Sequence, residues 1–193
     1  MRRLCRRIGG VRTLALILAL LVVNAAAEEA PWALLRQGGH VVLLRHAQTT
    51  PGIGDPEGMR LDDCSTQRNL SAEGREQARR VGEEFRRFRV PVDTVLSSEW
   101  CRCVETAGLA FGGTADVWPA LNNLFGRQEN RQKQIDELAA RIGAWRGKGN
   151  LVLVTHGSTI LALTRVGVQM GEMVILAPKG EKLFAVVGRV AVN

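Results

Sequence analysis

The sequence predicts an α/β protein built as a three-layer sandwich, with a mainly parallel central sheet and helices on both faces. Residues 41–44 and 151–154 are short and solidly apolar, which is typical of strands that are buried on both faces. Segments with helical spacing of apolar residues separate the predicted strands for most of the chain, and this alternation favours parallel pairing. The 193 residues suffice for one domain with a substantial core.

The predicted elements follow one another at short intervals. Apolar positions Ala78, Val81, Phe85 and Phe88 recur at helical spacing after Ser71, which indicates a long helix. Predicted helices cover residues 31–37, 71–88, 99–110, 130–145 and 157–166. Predicted strands cover residues 40–45, 93–96, 115–117, 151–155, 173–177 and 183–187. The last two strands form a predicted antiparallel hairpin at the sheet edge with its turn at residues 178–180, and residues 47–69 form a long loop rich in Pro and Gly.

The first 27 residues are predicted to be a secretory signal peptide that precedes a single domain over residues 28–193. Five arginines lie within residues 2–12, an apolar run follows at residues 14–23, and small alanines stand at residues 25–27. The apolar run is well short of the ~20 residues that span a bilayer. We therefore expect cleavage, export to the periplasm or the medium, and no stable membrane span afterwards. An uncleaved membrane anchor is the alternative.

The charge balance gives no indication of a nucleic-acid partner. The chain has 26 Lys and Arg against 19 Asp and Glu, but five of the arginines belong to the predicted leader. The remaining domain has 21 basic and 19 acidic residues, a net charge of +2. No basic stripe with interleaved aromatic residues is present in the sequence, so a nucleic-acid-binding surface is not expected.

Three cysteines remain after the leader, and export permits a disulfide. Cys64 can pair with Cys101 or with Cys103, and the sequence leaves both pairings open. Cys101 and Cys103 are too close for a standard metal pair, and no histidine is near them in sequence, so a structural zinc site is not expected.

Three predicted strands end in groups that can bind an anion or react with one. Arg45 and His46 end the first strand, Arg102 lies one turn into the helix after the second, and His156 follows the apolar run 151–154 at a helix start. If these strands are neighbours, their carboxyl ends bring all four side chains to one pocket. Arginines and a helix N-terminus suit phosphate oxygens, and a neutral imidazole can attack phosphorus. His40 has no such neighbours in sequence and is expected to be structural.

Four segments in this order resemble the motifs of the histidine phosphatase superfamily, also called phosphoglycerate-mutase-like. Leu44 to Thr49 reads LRHAQT and is similar to the family's RHG-type segment. The sequence NLSAEGREQA at residues 69–78 is similar to its helix-start motif. SSEWCR at residues 97–102, followed by ETA at 105–107, is similar to the second-arginine segment, and VTHG at 154–157 to the second-histidine segment. The resemblance covers residues 41–159, and in its short length the chain is similar to small bacterial phosphohistidine phosphatases and exported sugar-phosphate phosphatases.

The resemblance implies a role for each site residue. His46 would be the nucleophile that forms a phosphohistidine, and Arg45, Arg102 and His156 would hold the phosphoryl oxygens. Thr49, Arg68 and Asn69 would be further substrate contacts. The resemblance implies neither a metal nor an organic cofactor.

The sequence departs from the family in its general acid. Many members carry a glutamate after the third strand, where this chain has Asn122 and Asn123 within the apolar segment 118–125. That segment is expected to pack under the long loop, and lining of a substrate mouth is the alternative. The available acids are Asp62, Asp63, Glu99 and Glu172, and none has a clear claim. A missing acid favours leaving groups that depart without protonation, such as those of a phosphohistidine or an aryl phosphate.

The functional interpretation is an exported, cofactor-independent phosphatase. Its expected partner is a small phosphorylated substrate, namely a sugar phosphate, an aryl phosphate or a phosphohistidine. A phosphomutase of the same superfamily and a phosphate-binding module without catalysis are the two alternatives.

Overall fold

A computed structural model of the chain describes residues 29–52, 54–125 and 129–192. Its six strands form one sheet in the order β3-β2-β4-β1-β5-β6. The strands are β1 (Val41–Arg45), β2 (Val92–Ser97), β3 (Asp116–Val117), β4 (Asn150–Thr155), β5 (Met173–Gly180) and β6 (Leu183–Val190). Strands β1 to β4 are parallel, and β5 and β6 are antiparallel to their neighbours. The predicted signal peptide at residues 1–27 lies outside the described residues.

The described residues form five α-helices, of which one precedes β1 and four connect strands. Helix α1 covers residues 29–36, and the others are α2 (Ala72–Arg87), α3 (Cys101–Phe111), α4 (Arg131–Gly143) and α5 (Gly157–Thr164). Two short 3₁₀ helices lie at Cys64–Thr66 and Pro119–Leu121. Across the described residues, no helix has the length and apolar character that crossing a bilayer would require.

The core has two halves, one on each face of the sheet. Alternate residues of a strand point to opposite faces, and this alternation divides β1 and β4 cleanly. Val42, Leu44, Val152 and Val154 pack with α1, α2 and α3, whereas Val41, Leu43, Leu151 and Leu153 pack with α4 and α5. All eight side chains are fully buried. The predicted α/β architecture, with helices on both faces and a hairpin at the edge, is therefore confirmed.

The start of α2 is held against the loop that leaves β1. Ser71 caps the helix by accepting a hydrogen bond from the Gly74 backbone N–H at 3.0 Å. A Cβ atom on Gly74 would lie only 1.8 Å from the Gln48 carbonyl oxygen, so only glycine permits this approach. One turn later, the buried Gln77 amide accepts from the Gln48 N–H and donates to the carbonyls of Met170 and Val192. The segment at residues 69–78 therefore fixes the backbone just after β1.

The hairpin turn lies further along the chain than the sequence predicted. Residues 178–180 belong to β5, where Pro178 pairs with Phe184, and the chain turns at residues 181 and 182. The pairing of β5 with β1 ends at Leu176, so Pro178 has a strand neighbour on one side alone. A proline is tolerated at such a position because it need not donate to a second strand.

Candidate active site

A cavity of about 580 Å³ opens at the carboxyl ends of β1, β2 and β4. Strand β1 pairs with β4 so that Arg45 lies beside Thr155, and β4 pairs with β2 so that Val154 lies beside Ser97. These registers bring the ends of the three strands level at one edge of the sheet. The lining includes Arg45, His46, Arg68, Arg102, His156 and the first residues of α5.

The end of β1 supplies Arg45 and His46. The His46 side chain is buried, and its Nδ1 lies 2.9 Å from the carbonyl oxygen of Ala47. A carbonyl can only accept, so Nδ1 carries the proton and Nε2 carries the lone pair. Arg45 donates from Nη1 to the Val168 carbonyl at 2.7 Å, which anchors one end of its guanidinium.

The end of β4 supplies His156. Its ring centroid is 5.4 Å from that of His46, with the two planes at 65°. Its Nε2 lies 2.9 Å from the hydroxyl of Ser98, the residue after β2. Its other nitrogen, Nδ1, is buried and has no hydrogen-bond partner among the described residues. The two histidines therefore line one cavity but use different ring nitrogens for their hydrogen bonds, Nδ1 in His46 and Nε2 in His156.

The first turn of α3 supplies Arg102, whose side chain is 1% exposed. Both terminal nitrogens donate to the Asp55 carboxylate, at 2.6 and 3.2 Å, and the Trp100 indole N–H donates to the same carboxylate. Burial alone would raise the pKa of Asp55, but the Arg102 guanidinium outweighs it and lowers that pKa. Asp55 holds Arg102 in place. No sequence pattern marks Asp55, because it lies in a Pro- and Gly-rich loop outside the family motifs.

Arg68 is the third guanidinium of the cavity. It donates from Nη1 to the Gly52 carbonyl at 2.7 Å, and its Nε has no hydrogen-bond partner within the described ranges. Two other predicted contacts do not line the cavity. Asn69 donates to the Cys64 carbonyl at 2.6 Å, and the buried Thr49 has its hydroxyl 3.8 Å from the Met170 sulfur.

Every buried side-chain nitrogen or oxygen without a hydrogen-bond partner in the described part of the chain lies on a residue that lines this cavity. These atoms are the Nε of Arg45, Arg68 and Arg102 and the Nδ1 of His156. Buried polar groups in folded proteins are normally paired, and each exception calls for an explanation. Three guanidinium N–H groups around one cavity form a site for an oxyanion.

Burial and neighbouring groups keep both histidines neutral. Burial, followed by the charge of Arg102, lowers the pKa of His46 to about 3. Burial and the neighbouring His46 lower the pKa of His156 well below its usual value of 6.5, with smaller effects from the arginines. The pKa of Arg45 is lowered too, by burial and by Arg68 and Arg102. At neutral pH the cavity therefore combines uncharged imidazoles with cationic guanidinium groups.

None of the candidate acids lines the cavity. Asp62 has a side chain that is 86% exposed and pairs with Arg60, while Asp63 caps the 3₁₀ turn at Cys64–Thr66. Glu172 is buried but faces the hairpin, where it accepts from Arg189 Nε at 2.9 Å. Glu99 accepts from the Asn122 amide nitrogen at 2.5 Å. The described lining of the cavity contains no carboxylate.

The mouth of the cavity is apolar on one side. Phe125 and Leu161 both line it, and they are 67% and 49% exposed. The expectation that residues 118–125 pack under the long loop is therefore wrong for Phe125. Trp118 does not bear it out either, because it packs against the α4 and α5 half of the core, a cluster that includes no residue of the long loop. Leu121 and Leu124 are buried.

The disulfide joins Cys64 to Cys101, and Cys103 is a buried free thiol. The sequence left the partner of Cys64 open between Cys101 and Cys103. The bond ties the 3₁₀ turn of the long loop to the first residue of α3, next to Arg102. His40 lies at the opposite end of β1, where its Nδ1 contacts the Gly38 carbonyl and its backbone N–H donates to Asn150.

The chain belongs to the histidine phosphatase superfamily, branch 1, whose family model matches residues 41–150. Comparison with curated proteins gives no sequence match. Among the described residues, no group of three or more His, Cys, Asp or Glu side chains is placed to hold a metal ion.

Several solved structures share the fold at low sequence identity. The protein histidine phosphatase SixA in complex with tungstate is 13% identical with a TM-score of 0.58, and the match covers 79% of this chain and 96% of that one. A phosphoserine phosphatase mutant from Entamoeba histolytica in complex with phosphoserine is 11% identical with a TM-score of 0.55, covering 80% and 98%. A mycobacterial glucosyl-3-phosphoglycerate phosphatase is 20% identical with a TM-score of 0.50, covering 76% and 96%.

Proposed function

We propose that this protein is a phosphatase that hydrolyses a phosphomonoester or a phosphoramidate through a covalent phosphohistidine on His46. The observation that carries the proposal is the set of unpartnered buried nitrogens on Arg45, Arg68, Arg102 and His156 around one cavity. A tetrahedral phosphoryl group presents several acceptor oxygens to the three guanidinium donors. The solved SixA complex holds tungstate, which is also a tetrahedral oxyanion.

His46 has the properties of a nucleophile in this site. Its Nδ1 proton is engaged by the Ala47 carbonyl, so Nε2 presents a lone pair. The pKa of His46 is lowered to about 3 by burial and by Arg102, so the imidazole is unprotonated at every pH near neutrality. Arg45 and Arg102 would neutralise the charge on the phosphoryl oxygens during transfer, which is the main catalytic need of this reaction.

The cavity lining favours some substrates over others. With no carboxylate in the described lining, leaving groups that depart without protonation are favoured, such as an aryl oxide or the imidazole of a phosphohistidine. The exposed Phe125 and Leu161 at the mouth offer contact area to an aromatic or other apolar group. A sugar phosphate, whose leaving group is polar and basic, fits this mouth less well. We also propose that the protein acts after export, on the pattern of its first 27 residues.

The test is turnover of an aryl phosphate by the protein without its first 27 residues, with His46→Ala as the paired variant. We expect release of inorganic phosphate by the wild type and a loss of at least about 10³-fold in the variant. Binding of phosphate without turnover would identify a binding module instead. A product that is an isomer of a supplied alkyl phosphate would identify a mutase. Turnover that is equal in the variant would contradict the proposed mechanism.

A further inference from the structure

A chain of hydrogen bonds leads from His156 away from the cavity. His156 Nε2 lies 2.9 Å from the Ser98 hydroxyl oxygen, which donates to the Asn122 Oδ1 at 3.1 Å. The Asn122 amide nitrogen then donates to Glu99 Oε2 at 2.5 Å. The chain ends at Glu99, whose side chain is half-buried. The three residues that follow His156 in this chain of hydrogen bonds, Ser98, Asn122 and Glu99, do not line the cavity.

The orientation of the Asn122 amide is fixed from both sides. The Glu99 carboxylate can only accept, so it selects the NH₂ end of the amide. The Glu99 backbone N–H can only donate, and it lies 3.0 Å from Oδ1, so it selects the carbonyl end. If the amide were flipped, its NH₂ group would face the Glu99 backbone N–H, and its carbonyl oxygen would face the Glu99 carboxylate. Oδ1 of Asn122 is therefore an acceptor for Ser98.

This orientation determines which nitrogen of His156 carries the proton. The Ser98 hydroxyl donates its single proton to Asn122. Its oxygen also accepts from the backbone N–H of Trp100 at 3.3 Å. The remaining lone pair of Ser98 faces His156 Nε2, which must then carry the proton. In the neutral ring, Nδ1 holds the lone pair. Nδ1 is the nitrogen that is buried and unpartnered on the cavity-lining residue.

We propose that Ser98, Asn122 and Glu99 are positioning residues that hold His156 as its Nε2–H tautomer, and that Nδ1 of His156 is the proton donor and acceptor of the reaction. The inference rests on the proposed function. It supplies an acid–base group to a cavity whose described lining contains no carboxylate. Asn122 stands in the segment where many family members carry a glutamate, and its amide acts through His156.

The proton balance closes over the two steps. The substrate binds as the monoanion ROPO₃H⁻ and shares its proton with Nδ1. In the first step the P–N bond to His46 Nε2 forms, the P–O bond breaks, and Nδ1 gives the proton to the leaving oxygen. In the second step water attacks phosphorus, Nδ1 takes a water proton, and the P–N electron pair returns to His46. The phosphate leaves as H₂PO₄⁻ with that proton.

The charges around His156 suit this cycle. Five titratable groups face the ring from β1, the long loop and α3: His46, Arg45, Arg68, Arg102 and Cys103. Burial, then the neighbouring His46 and the three guanidinium groups, keep His156 neutral in the free protein. A bound phosphoryl group offsets their charge, so a proton on Nδ1 becomes tolerable only when substrate is present. Burial raises the pKa of Cys103 to about 12, so its thiol does not compete for the proton.

The first test is a long-range ¹⁵N–¹H correlation spectrum of the imidazole rings. The chain has three histidines, so His40→Gln and His46→Gln assign the signals. We expect a neutral Nε2–H ring for His156 and the opposite Nδ1–H ring for His46. Ser98→Ala should shift His156 toward a mixture of tautomers. Ser97→Ala is the matched control, because Ser97 is equally buried and donates to the Ser98 carbonyl outside the chain. An Nδ1–H ring for His156 in the wild type overturns the inference.

The second test compares an alkyl with an aryl phosphate in the same variants. Proton transfer matters more for the alkyl leaving group, so Ser98→Ala should lower kcat by roughly 10-fold or more beyond its effect on the aryl phosphate. Ser97→Ala should leave the ratio of the two rates unchanged. Equal losses for both substrates in Ser98→Ala would indicate a purely structural role and overturn the inference, whereas a wild type with the Nε2–H ring and no turnover would overturn the proposed function instead.

Discussion

The ends of β1 and β4 present two histidines in similar surroundings but hold them in opposite ways. His46 and His156 are both buried, their rings lie 5.4 Å apart, and burial and positive neighbours lower the pKa of each. His46 is tied through Nδ1 to a backbone carbonyl, and His156 through Nε2 to a hydroxyl. The free nitrogens are therefore Nε2 on His46 and Nδ1 on His156.

This difference separates a nucleophile from a proton carrier. A backbone carbonyl is present whatever residue follows His46, so that tether depends only on the course of the chain. The tether of His156 depends on three side chains, those of Ser98, Asn122 and Glu99. The nucleophile is thus held by the backbone, whereas the proton carrier is held by side chains that a single substitution can alter.

The largest expected effect separates the two histidines directly. His46→Ala should abolish phosphoenzyme formation and lower turnover by at least about 10³-fold. His156→Ala should still form a phosphoenzyme with an aryl phosphate, because an aryl oxide departs without protonation, but should hydrolyse it slowly. We expect a loss of about 10²-fold or more in its steady-state rate. Stopped-flow recording of the aryl product would show a burst in His156→Ala and none in His46→Ala. A burst in both variants would contradict the assignment.

The next effect concerns Arg102, whose charge acts on both rings. Arg102→Ala should lower the free energy of unfolding by about 3–5 kcal/mol, because Asp55 is left mostly buried without its partner. The same variant should raise the pKa of His46, since Arg102 is the strongest charge acting on that ring. Urea unfolding and histidine NMR titration measure the two effects.

A double variant separates the two roles of Arg102. Asp55→Asn removes the carboxylate charge that Arg102→Ala leaves unpaired. The double variant Arg102→Ala with Asp55→Asn should therefore recover part of the stability but none of the activity. Recovery of activity in the double variant would show that Arg102 serves the fold and not the phosphoryl group.

A smaller effect is expected from the disulfide, which touches neither histidine. The bond between Cys64 and Cys101 closes a loop with a sequence separation of 37, and its removal should cost about 3–4 kcal/mol. Because it joins the loop that carries Arg68 to the start of α3, substrate binding should weaken as well. The variant Cys64→Ser with Cys101→Ser should keep both histidine tautomers, as read by NMR. A change of tautomer would show that the loop, and not Ser98, sets the His156 ring.

The smallest effect, taken per pH unit, is the pH dependence of stability. Both rings have a lowered pKa in the folded protein, so below pH 6.5 the unfolded chain binds protons that the folded one does not. Stability should therefore be unaffected by these rings above pH 6.5 and fall below it, by about 1.4 kcal/mol per pH unit for each ring. For His46 the fall should continue to about pH 3. Urea unfolding between pH 7 and 5 should show a shallower slope in His46→Ala and in His156→Ala. An unchanged slope would mean that the rings are protonated in the folded protein.

Much of the fold and the centre of the site follow from local patterns. The apolar runs before Arg45-His46 and His156 are buried strands because both faces of the sheet are covered, and parallel strands place their carboxyl ends together. Ser71 indicates the start of α2 in the sequence, because its side chain caps that helix. Each of these features depends on a few residues that are adjacent in sequence, so it can be predicted from the sequence alone.

The remaining parts of the site depend on contacts between distant segments. Asp55 meets Arg102 across 47 positions, and Asn122 meets Ser98 across 24. No local pattern marks either pair. Glu99, a candidate acid by sequence, is instead the end of the His156 chain. The disulfide was undecided for a similar reason, since Cys101 and Cys103 are two residues apart and only the packing of α3 selects between them.

The most direct test of the covalent mechanism is to trap its intermediate. The protein is mixed with a ³²P-labelled aryl phosphate, quenched in alkali within milliseconds, and digested for mass spectrometry. We expect a label that survives alkali, is lost in acid, and maps to the peptide that contains His46. No label in His46→Ala and a normal label in Ser97→Ala complete the comparison. A label on another residue, or hydrolysis with no labelled protein at any time, would contradict the phosphohistidine mechanism.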